Sequence, residues 1–187
     1  IVPGERLSDW LLRNAQPGAD TTALPWRVPA EQGPQEQLRQ AVLGALGPAH
    51  PALAAWLAAL PLTGRLTVAR ADARWLQAAP AQDPVLQDGQ TVLLLPRPAQ
   101  VSVVDAQGRI CSVPHTSGAL IADYIQACGG EAGLAEVDWA WLAQADGRTS
   151  QYGVAPWSQT EQNEPGPGAW IWAPQRASGI GPAVSDN

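Results

Sequence analysis

Hydrophobic residues in the second half of the chain alternate with polar ones over two short runs and then take a helical spacing. Residues 101–114 (VSVVDAQGRICSVP) hold two β-rich runs around a turn at 105–108, which is the pattern of a β-hairpin. Residues 117–130 (SGALIADYIQACGG) carry apolar side chains at the spacing of a helix. Ser117 is the predicted N-cap of this helix, and Gly129-Gly130 is its predicted end.

Three more strands are predicted after this helix. Residues 137–154 (VDWAWLAQADGRTSQYGV) form a second predicted hairpin that turns at Asp146-Gly147. Residues 164–174 (EPGPGAWIWAP) place a last strand between a Pro-Gly turn and a proline. Two strands, a helix and three more strands, within about 75 residues, are the element order of a β-grasp, or ubiquitin-like, domain. The pattern therefore predicts an α+β fold for this half.

The first half of the chain repeats parts of this pattern. Residues 2–12 (VPGERLSDWLL) resemble residues 113–125 (VPHTSGALIADYI). Residues 86–96 (LQDGQTVLLLP) parallel residues 164–174, as a turn, a glycine, an apolar strand and a proline. The two matched segments are about 35 residues further apart in the first copy. We interpret the chain as two tandem β-grasp domains, of which the first carries an insertion.

The inserted residues have the pattern of two helices. Between residues 34 and 61, apolar side chains recur at helical spacing on both sides of a break at Gly47-Pro48. We predict an αα-hairpin inserted at about 34–61, followed by a strand within residues 62–70. The first domain begins at Val2-Pro3 without the hairpin that precedes the helix in the second copy. Its opening strands are therefore expected to be missing from this chain.

The two copies define the predicted domain organisation. The first domain covers residues 1–98 with the helical hairpin, and the second covers residues 99–174. Residues 175–187 lack periodicity and bulky apolar side chains, which predicts a loose tail.

Composition and charge narrow the functional class. Hydrophobic residues make up 45% of the chain and charged residues 15%, which is enough apolar content for buried cores. The net charge of −6 without a basic cluster argues against nucleic-acid binding, because phosphate contacts need grouped cations. No apolar run reaches the ~18 residues that a membrane-spanning helix needs. Since the chain has no Met, Ile1 is not an initiator residue, and we expect either a removed signal peptide or a trimmed chain.

The two cysteines allow two interpretations. Cys111, on a predicted strand, and Cys128, on the predicted helix, could form a disulfide worth about 3 kcal/mol in an exported protein. Alternatively, both are small buried hydrophobic residues. The sequence lacks the paired ligand spacing of a metal site and the glycine-rich motifs that bind phosphate, so we predict no metal and no cofactor.

Several short motifs occur in the order found in one known family. They are TGR (63–65), DWAW with DGR (138–141 and 146–148), VAPW (154–157) and EPGPGAWIWAP (164–174). By these motifs the chain resembles the GfcC-like capsule biosynthesis family, which is similar to the soluble-ligand-binding β-grasp (SLBB) domains of Wza-type polysaccharide export proteins. The resemblance implies an exported periplasmic protein, without an established catalytic activity, encoded with capsule or exopolysaccharide secretion machinery. The family commonly ends in an amphipathic helix, a pattern that residues 175–187 lack.

Four tryptophans are the first candidates for ligand binding. Trp139 and Trp141 alternate on one predicted strand. Trp170 and Trp172 alternate on the strand that neighbours it in a β-grasp sheet, so that all four could share one face. They could pack as core beneath the helix or between the domains, each burying about 150–250 Å². They could instead form a partly exposed platform on which sugar rings stack, and four indoles under one short helix would be crowded.

Arg65 is the remaining candidate. It begins the strand after the helical insertion, near the predicted junction of the two domains. There a guanidinium could bind an anion or sugar hydroxyls in a bidentate manner. An ordinary exposed or ion-paired arginine is the alternative. His50 and His115 belong to no recognisable pairing of nucleophile and base, so no catalytic residue is predicted.

These observations and the resemblance lead to one functional expectation and two alternatives. We expect a non-enzymatic periplasmic accessory protein of capsule or exopolysaccharide biosynthesis and export, which binds polysaccharide or exporter components. The alternatives are a glycan-modifying enzyme and a purely structural adaptor. A crevice lined by Arg65 and exposed indoles would favour glycan binding, converging carboxylates would favour an enzyme, and a featureless junction would favour an adaptor. The sequence does not indicate the oligomeric state.

Overall fold

The structure of the chain is a computed structural model with two compact units of mixed α and β structure. It describes residues 2, 4–15, 18–21, 24–66, 68, 70–105, 107–161 and 164–174. The first unit comprises residues 1–98 with 145–148, and the second comprises 99–144 with 149–187. The predicted α+β class is confirmed. The predicted tail at 175–187 lies outside the described residues.

The second unit contains one five-stranded sheet and one long helix. Its elements are β4 (Gln100–Asp105), β5 (Ile110–Pro114), α5 (Ile121–Ala135), β6 (Trp139–Ala143), β7 (Thr149–Gly153) and β8 (Trp170–Ala173). The strand order is β5-β4-β8-β6-β7. β8 pairs in parallel with β4, and the other three pairings are antiparallel. Both predicted hairpins of this half are therefore present, and the last strand lies at the centre of the sheet.

The core of the second unit lies between α5 and one face of the sheet. Ile121, Tyr124 and Ile125 bring one side of the helix into this core. The sheet contributes alternate residues from its strands, since successive side chains of a strand point to opposite faces. Those on the helix side include Val101, Val103, Ala140, Leu142, Tyr152, Ala169, Ile171 and Ala173.

The ends of α5 differ from the prediction. The N-cap is Leu120 and not Ser117, because the Asp123 carboxylate accepts the Leu120 backbone N–H at 2.7 Å and closes the first turn there. At the other end the helix continues past Gly129-Gly130 to Ala135. Gly130 has φ 66° and interrupts the helical backbone, so this glycine produces a kink where the sequence predicts an end.

A disulfide joins Cys111 on β5 to Cys128 on α5. Of the two interpretations left open by the sequence, the structure therefore has the bonded one. The bond links the edge of the sheet to the helix two residues before the kink at Gly130.

Removing this disulfide should destabilise the second unit. The double variant Cys111→Ala/Cys128→Ala releases a cross-link between residues 17 positions apart, and we expect its free energy of unfolding to fall by about 2–4 kcal/mol. Chemical denaturation followed by circular dichroism measures the difference. Wild-type protein kept in a reductant is the matched control and should show a similar loss; a double variant as stable as the oxidised wild type would contradict the expectation.

The described residues of the first unit form a three-stranded sheet and four α-helices. Its elements are α1 (Leu7–Asn14), β1 (Trp26–Arg27), α2 (Gln32–Leu46), α3 (Pro51–Ala59), β2 (Arg65–Leu66), α4 (Ala73–Ala78) and β3 (Thr91–Val92). Helices α2 and α3 pack on each other and occupy the place of the predicted αα-hairpin. The sequence analysis missed β1 and α4.

The first unit repeats the strand arrangement of the second. Its order β2-β1-β3, with both pairings antiparallel, matches the order β7-β6-β8. The helical hairpin lies between β1 and β2, whereas only a short turn joins the equivalent strands β6 and β7. The equivalence also aligns Val92 of β3 with Ile171 of β8, and both are buried.

A buried carboxylate ties α1 to the segment before β3. Asp83 Oδ1 accepts the backbone N–H of Ser8 at 3.0 Å, and its Oδ2 accepts the Ser8 hydroxyl at 2.7 Å. Both residues are less than 8% exposed. Arg6 Nη1 donates to the Asp83 carbonyl oxygen at 2.7 Å. A carboxylate at a helix N-terminus satisfies backbone N–H groups that have no partner within the helix.

Asp83→Ala should therefore lower the free energy of unfolding of the first unit. The substitution leaves the Ser8 N–H and hydroxyl buried without their acceptor, a loss of about 1–3 kcal/mol or more for a charged partner. Asp88→Ala removes an exposed carboxylate from the same segment and should change stability by less than about 0.5 kcal/mol. Urea denaturation of the two variants measures the difference, and equal stabilities would show that the Asp83 contacts contribute nothing.

Candidate functional site

The face of the second unit's sheet that lies away from α5 carries four tryptophans. On β6, Ala140 and Leu142 point into the core, so that Trp139 and Trp141 point outward. On β8, the buried Ile171 directs its neighbours Trp170 and Trp172 outward. We call this set, Trp139, Trp141, Trp170 and Trp172, the aromatic face. None of its members belongs to the core beneath the helix.

The register of β6 and β8 brings the four indoles together. Trp141 lies directly opposite Trp172, and Trp170 lies opposite Ala143. Trp139 and Trp170 therefore extend the central pair in opposite directions along the strands. Four residues of strand separate these two levels, a distance of about 13 Å at about 3.3 Å per residue. The four indoles thus form one stripe along the two strands, and its central pair lies beside the buried Val104 of β4.

The two ends of this stripe are the most accessible. Trp139 is 44% and Trp170 is 42% exposed, while Trp141 and Trp172 are half-buried. The buried indole N–H of Trp172 has no hydrogen-bond partner among the described residues. Large apolar side chains that stay exposed to solvent are a common feature of binding surfaces.

Polar side chains flank the aromatic face on both sides. Gln151 on β7 lies opposite Trp141. On the other side, Ser102 on β4 lies opposite Trp170, and Ser112 on β5 lies opposite Ser102. Amide and hydroxyl groups can donate and accept hydrogen bonds. The surface thus offers aromatic rings for stacking and polar groups at their edges.

A loop that the sequence analysis did not single out adjoins the aromatic face. Gly153 lies opposite Trp139, so a side chain at this position would point to the same face. A Cβ there would lie 1.5 Å from the carbonyl oxygen of Ser158, which shows that the following loop folds directly over Gly153. This loop carries Trp157, which is 67% exposed. The tryptophan of the VAPW motif is the sequence feature that could have indicated this loop.

Hydrogen bonds to one strand end hold this loop in place. The Asp138 carbonyl oxygen accepts the Val154 N–H at 2.9 Å and the Ser158 hydroxyl at 2.8 Å. Thr160 Oγ1 accepts the Gly153 N–H at 3.1 Å. The loop is therefore fixed to the start of β6, beside Trp139.

Arg65 belongs to the first unit, where it begins β2 and its backbone pairs with Arg27. Its side chain is exposed, and Nη2 donates to the Ala145 carbonyl oxygen at 3.1 Å. The preceding Thr63 and Gly64 donate their backbone N–H groups to Gln35 Oε1 at 2.9 and 2.8 Å. The TGR motif is thus anchored to α2. Its role in ligand binding stays a prediction.

Residues of the EPGPGAWIWAP motif organise the loop before α5. Glu164 Oε1 accepts the Gly118 N–H at 2.9 Å and lies 3.7 Å from His115 Nε2. Gln144 joins the same segment, donating from Nε2 to the Glu164 carbonyl oxygen and accepting the Gly166 N–H, both at 2.9 Å. These contacts give the polar residues of the motif a structural role.

The described part of the chain has neither a membrane-spanning helix nor a cluster of metal-ligating side chains. None of its helices is long and apolar enough to cross a membrane. None of its His, Cys, Asp and Glu side chains form a group of three or more that could hold a metal ion.

The fold and the site define an α+β protein of two sheet-and-helix units, the second of which presents an aromatic face. Residues 109–186 match the family model described as capsule biosynthesis GfcC C-terminal. The uncharacterized protein YjbG of Escherichia coli (strain K12) is 31% identical over 121 residues, which are 65% of this chain and 48% of YjbG. The chain thus spans about half the length of this curated relative. These matches confirm the resemblance to the GfcC-like capsule biosynthesis family that the motifs of the chain indicate.

Gly153→Ala should displace the loop that carries Trp157. The added methyl group would overlap the Ser158 carbonyl oxygen, and we expect a loss of about 1–3 kcal/mol in unfolding free energy. Backbone hydrogen exchange over residues 154–160 should also become faster. Gly44→Ala adds the same methyl group where nothing lies within 4 Å and should leave both measurements unchanged or slightly improve stability. Equal behaviour of the two variants would contradict the proposed packing.

Proposed function

We propose that the protein is a non-enzymatic periplasmic accessory of capsule or exopolysaccharide biosynthesis and export, and that its aromatic face contacts the polymer. The family assignment supports a role in the capsule and polysaccharide pathway. Within that pathway, the outward direction and exposure of the indoles support direct contact with a glycan.

The observation that carries this proposal is that the fold does not need tryptophan at these positions. In the first unit, β3 and the residue after it place Thr91 and Leu93 where β8 has Trp170 and Trp172. Between these two positions, both strands have a buried aliphatic residue, which is Val92 in β3 and Ile171 in β8. Since the same strand forms with the smaller outward side chains Thr91 and Leu93, we infer that the bulk of the indoles serves a purpose other than the core.

An aromatic stripe suits a chain of sugar rings for two physical reasons. The axial C–H groups of a pyranose form an apolar patch that can lie flat on an indole, which is large, rigid and partly polar. Three levels of indoles over about 13 Å can contact more than one ring of a linear polymer. The flanking Gln151 and Ser102 can then hydrogen-bond to ring hydroxyls.

We also infer that both units are β-grasp domains. The shared order β2-β1-β3 and β7-β6-β8 supports this inference, as does the position of a helix before each set of three strands. In the second unit the hairpin of β4 and β5 precedes the helix and completes the five-stranded sheet.

The proposed location outside the cytoplasm has structural support in the disulfide. Bonds of this kind form and persist in oxidising compartments such as the periplasm, and Cys111 and Cys128 are bonded to each other. Export would require a signal peptide on the precursor. The absence of a catalytic role is likewise proposed: both cysteines are bonded, and Glu164, which lies beside His115, holds the loop before α5.

Replacing the exposed ends of the stripe should weaken polymer binding without unfolding the protein. For Trp139→Ala/Trp170→Ala we expect at least a tenfold loss of affinity for the capsular or exopolysaccharide of the source organism. Affinity electrophoresis in gels containing the polymer measures this loss. Circular dichroism should show an unchanged fold, because both side chains are more than 40% exposed.

The matched control is Trp139→Phe/Trp170→Phe, which keeps two aromatic rings on the same strands. It should retain most of the affinity, since ring stacking and not the indole N–H supplies the contact. Wild-type protein that ignores the polymer, or an alanine variant that binds like wild type, would refute glycan contact at this face. Binding of an exporter component that the alanine variant alone loses would instead assign the face to a protein partner.

A further inference from the structure

We propose that a second site lies on the helix side of the second unit and binds a single acidic saccharide residue through its carboxylate. The site is a cavity of about 470 Å³ at the end of the sheet where β4 and β8 finish, below the last part of α5. We call it the helix-side cavity. Its volume falls within the range of about 300–1,000 Å³ that is common for small-molecule sites. It lies on the opposite side of the sheet from the aromatic face.

The floor and one wall of the helix-side cavity are apolar. Val103 and Ile125 form part of the core beneath it, and Val137 and Ala173 line it further toward the end of the sheet. Cys111 and Cys128 also line the cavity, so their disulfide holds the helix and the edge strand on its two sides. Such a floor can receive the apolar face of one pyranose ring.

Glycines keep the cavity open. Gly129 and Gly133 line it, and a Cβ built on either would meet nothing within 4 Å. Between them, Gly130 in the left-handed region bends the helix. Two larger side chains here would project into free space, and glycine costs roughly 0.5–1 kcal/mol in a helix. Gly129 is exposed and Gly133 is half-buried, so the helix contributes no side chain at these two positions of the lining.

The rim of the cavity supplies an oriented cation. Arg109 Nε donates to Asp105 Oδ2 at 2.6 Å, and Asp105 Oδ1 accepts the backbone N–H groups of Gln107 and Arg109, each at 2.9 Å. Asp105 therefore fixes the turn and pairs with the guanidinium of Arg109, whose side chain is 80% exposed. The ion pair uses only the Nε–H, and the remaining N–H groups on the two Nη atoms form the fork that matches a carboxylate.

Planar polar groups complete the rim. Gln107 and Glu136 line the same cavity as Arg109. An amide and a carboxylate can each form two hydrogen bonds in one plane, which matches neighbouring hydroxyls of a sugar ring. Arg109 is the cationic group of this lining, while Asp105 and Glu136 are anionic. A hexuronate would therefore place its carboxylate on the Arg109 fork and its hydroxyls toward Gln107 and Glu136.

Nuclear magnetic resonance titrations of the full chain with sodium D-glucuronate test the proposal. We expect saturable chemical-shift changes at residues 103–111, 128–137 and 173. D-Glucose lacks the carboxylate and should bind at least about tenfold more weakly; sodium acetate lacks the ring and should do the same. Arg109→Gln should lower the glucuronate affinity to the level of glucose and leave the glucose affinity unchanged. Equal affinities for glucuronate and glucose would overturn the assigned role of Arg109.

A variant that fills the cavity provides a second test, in which a loss of binding at an unchanged melting temperature cannot be caused by unfolding. Gly133→Leu places a side chain in open space on a helix and should keep or raise the melting temperature while abolishing glucuronate binding. Gly44→Leu makes the same change on α2, where nothing lies within 4 Å, and should bind like wild type. Unaltered binding by Gly133→Leu, or the absence of saturable shifts near the cavity in wild type, would refute the site. Because the aromatic face lies elsewhere, these outcomes are independent of the polymer test.

Discussion

The backbone pairing of β8 at the centre of the five-stranded sheet is the constraint on which the second unit depends. This strand bonds in parallel to β4 on one side and antiparallel to β6 on the other. Parallel neighbours cannot be joined by a tight turn, so the chain between them must leave the sheet and return. The intervening residues supply α5, which covers one face, and the hairpin of β6 and β7. Because Ile171 is fully buried beneath the helix, its neighbours Trp170 and Trp172 point to the opposite face of the sheet.

The first unit shows how much this arrangement tolerates. It has the same three-stranded arrangement, but each of its strands has only two paired residues. A helical hairpin also lies between β1 and β2. An insertion at a turn costs little, since the entropy of closing a loop grows only slowly with its length. Outward positions of the sheet are equally free to vary, as Thr91 against Trp170 illustrates. Such freedom allows one copy to carry an aromatic surface while both keep the same inward pattern.

The elements that sequence reasoning missed are those whose local signal is weakest. β1 is only Trp26–Arg27, and it forms because β2 and β3 provide hydrogen-bond partners on both sides. Residues this far apart in the chain leave no local pattern from which the strand could be predicted. α4 spans six residues, and its Asp72 cap lies in a segment that also fits a loop. The start of α5 moved from Ser117 to Leu120 because Asp123 offered a better cap. Trp157 was not predicted as a site residue because its exposure depends on how the following loop folds over Gly153, which the spacing of apolar residues does not show.

The spacing of apolar residues sets the period of each strand. A spacing of two places Trp139 with Trp141 on one side, and Trp170 with Trp172 on one side, whatever the rest of the chain does. Local patterns also predict the two helices between residues 34 and 61 and carry the motifs that resemble the family. Tertiary contacts decide which side faces the helix, because a shift of one residue in register would exchange the two faces. The pairing of Trp141 with Trp172, and the disulfide that lines the helix-side cavity, likewise depend on contacts between residues far apart in the chain.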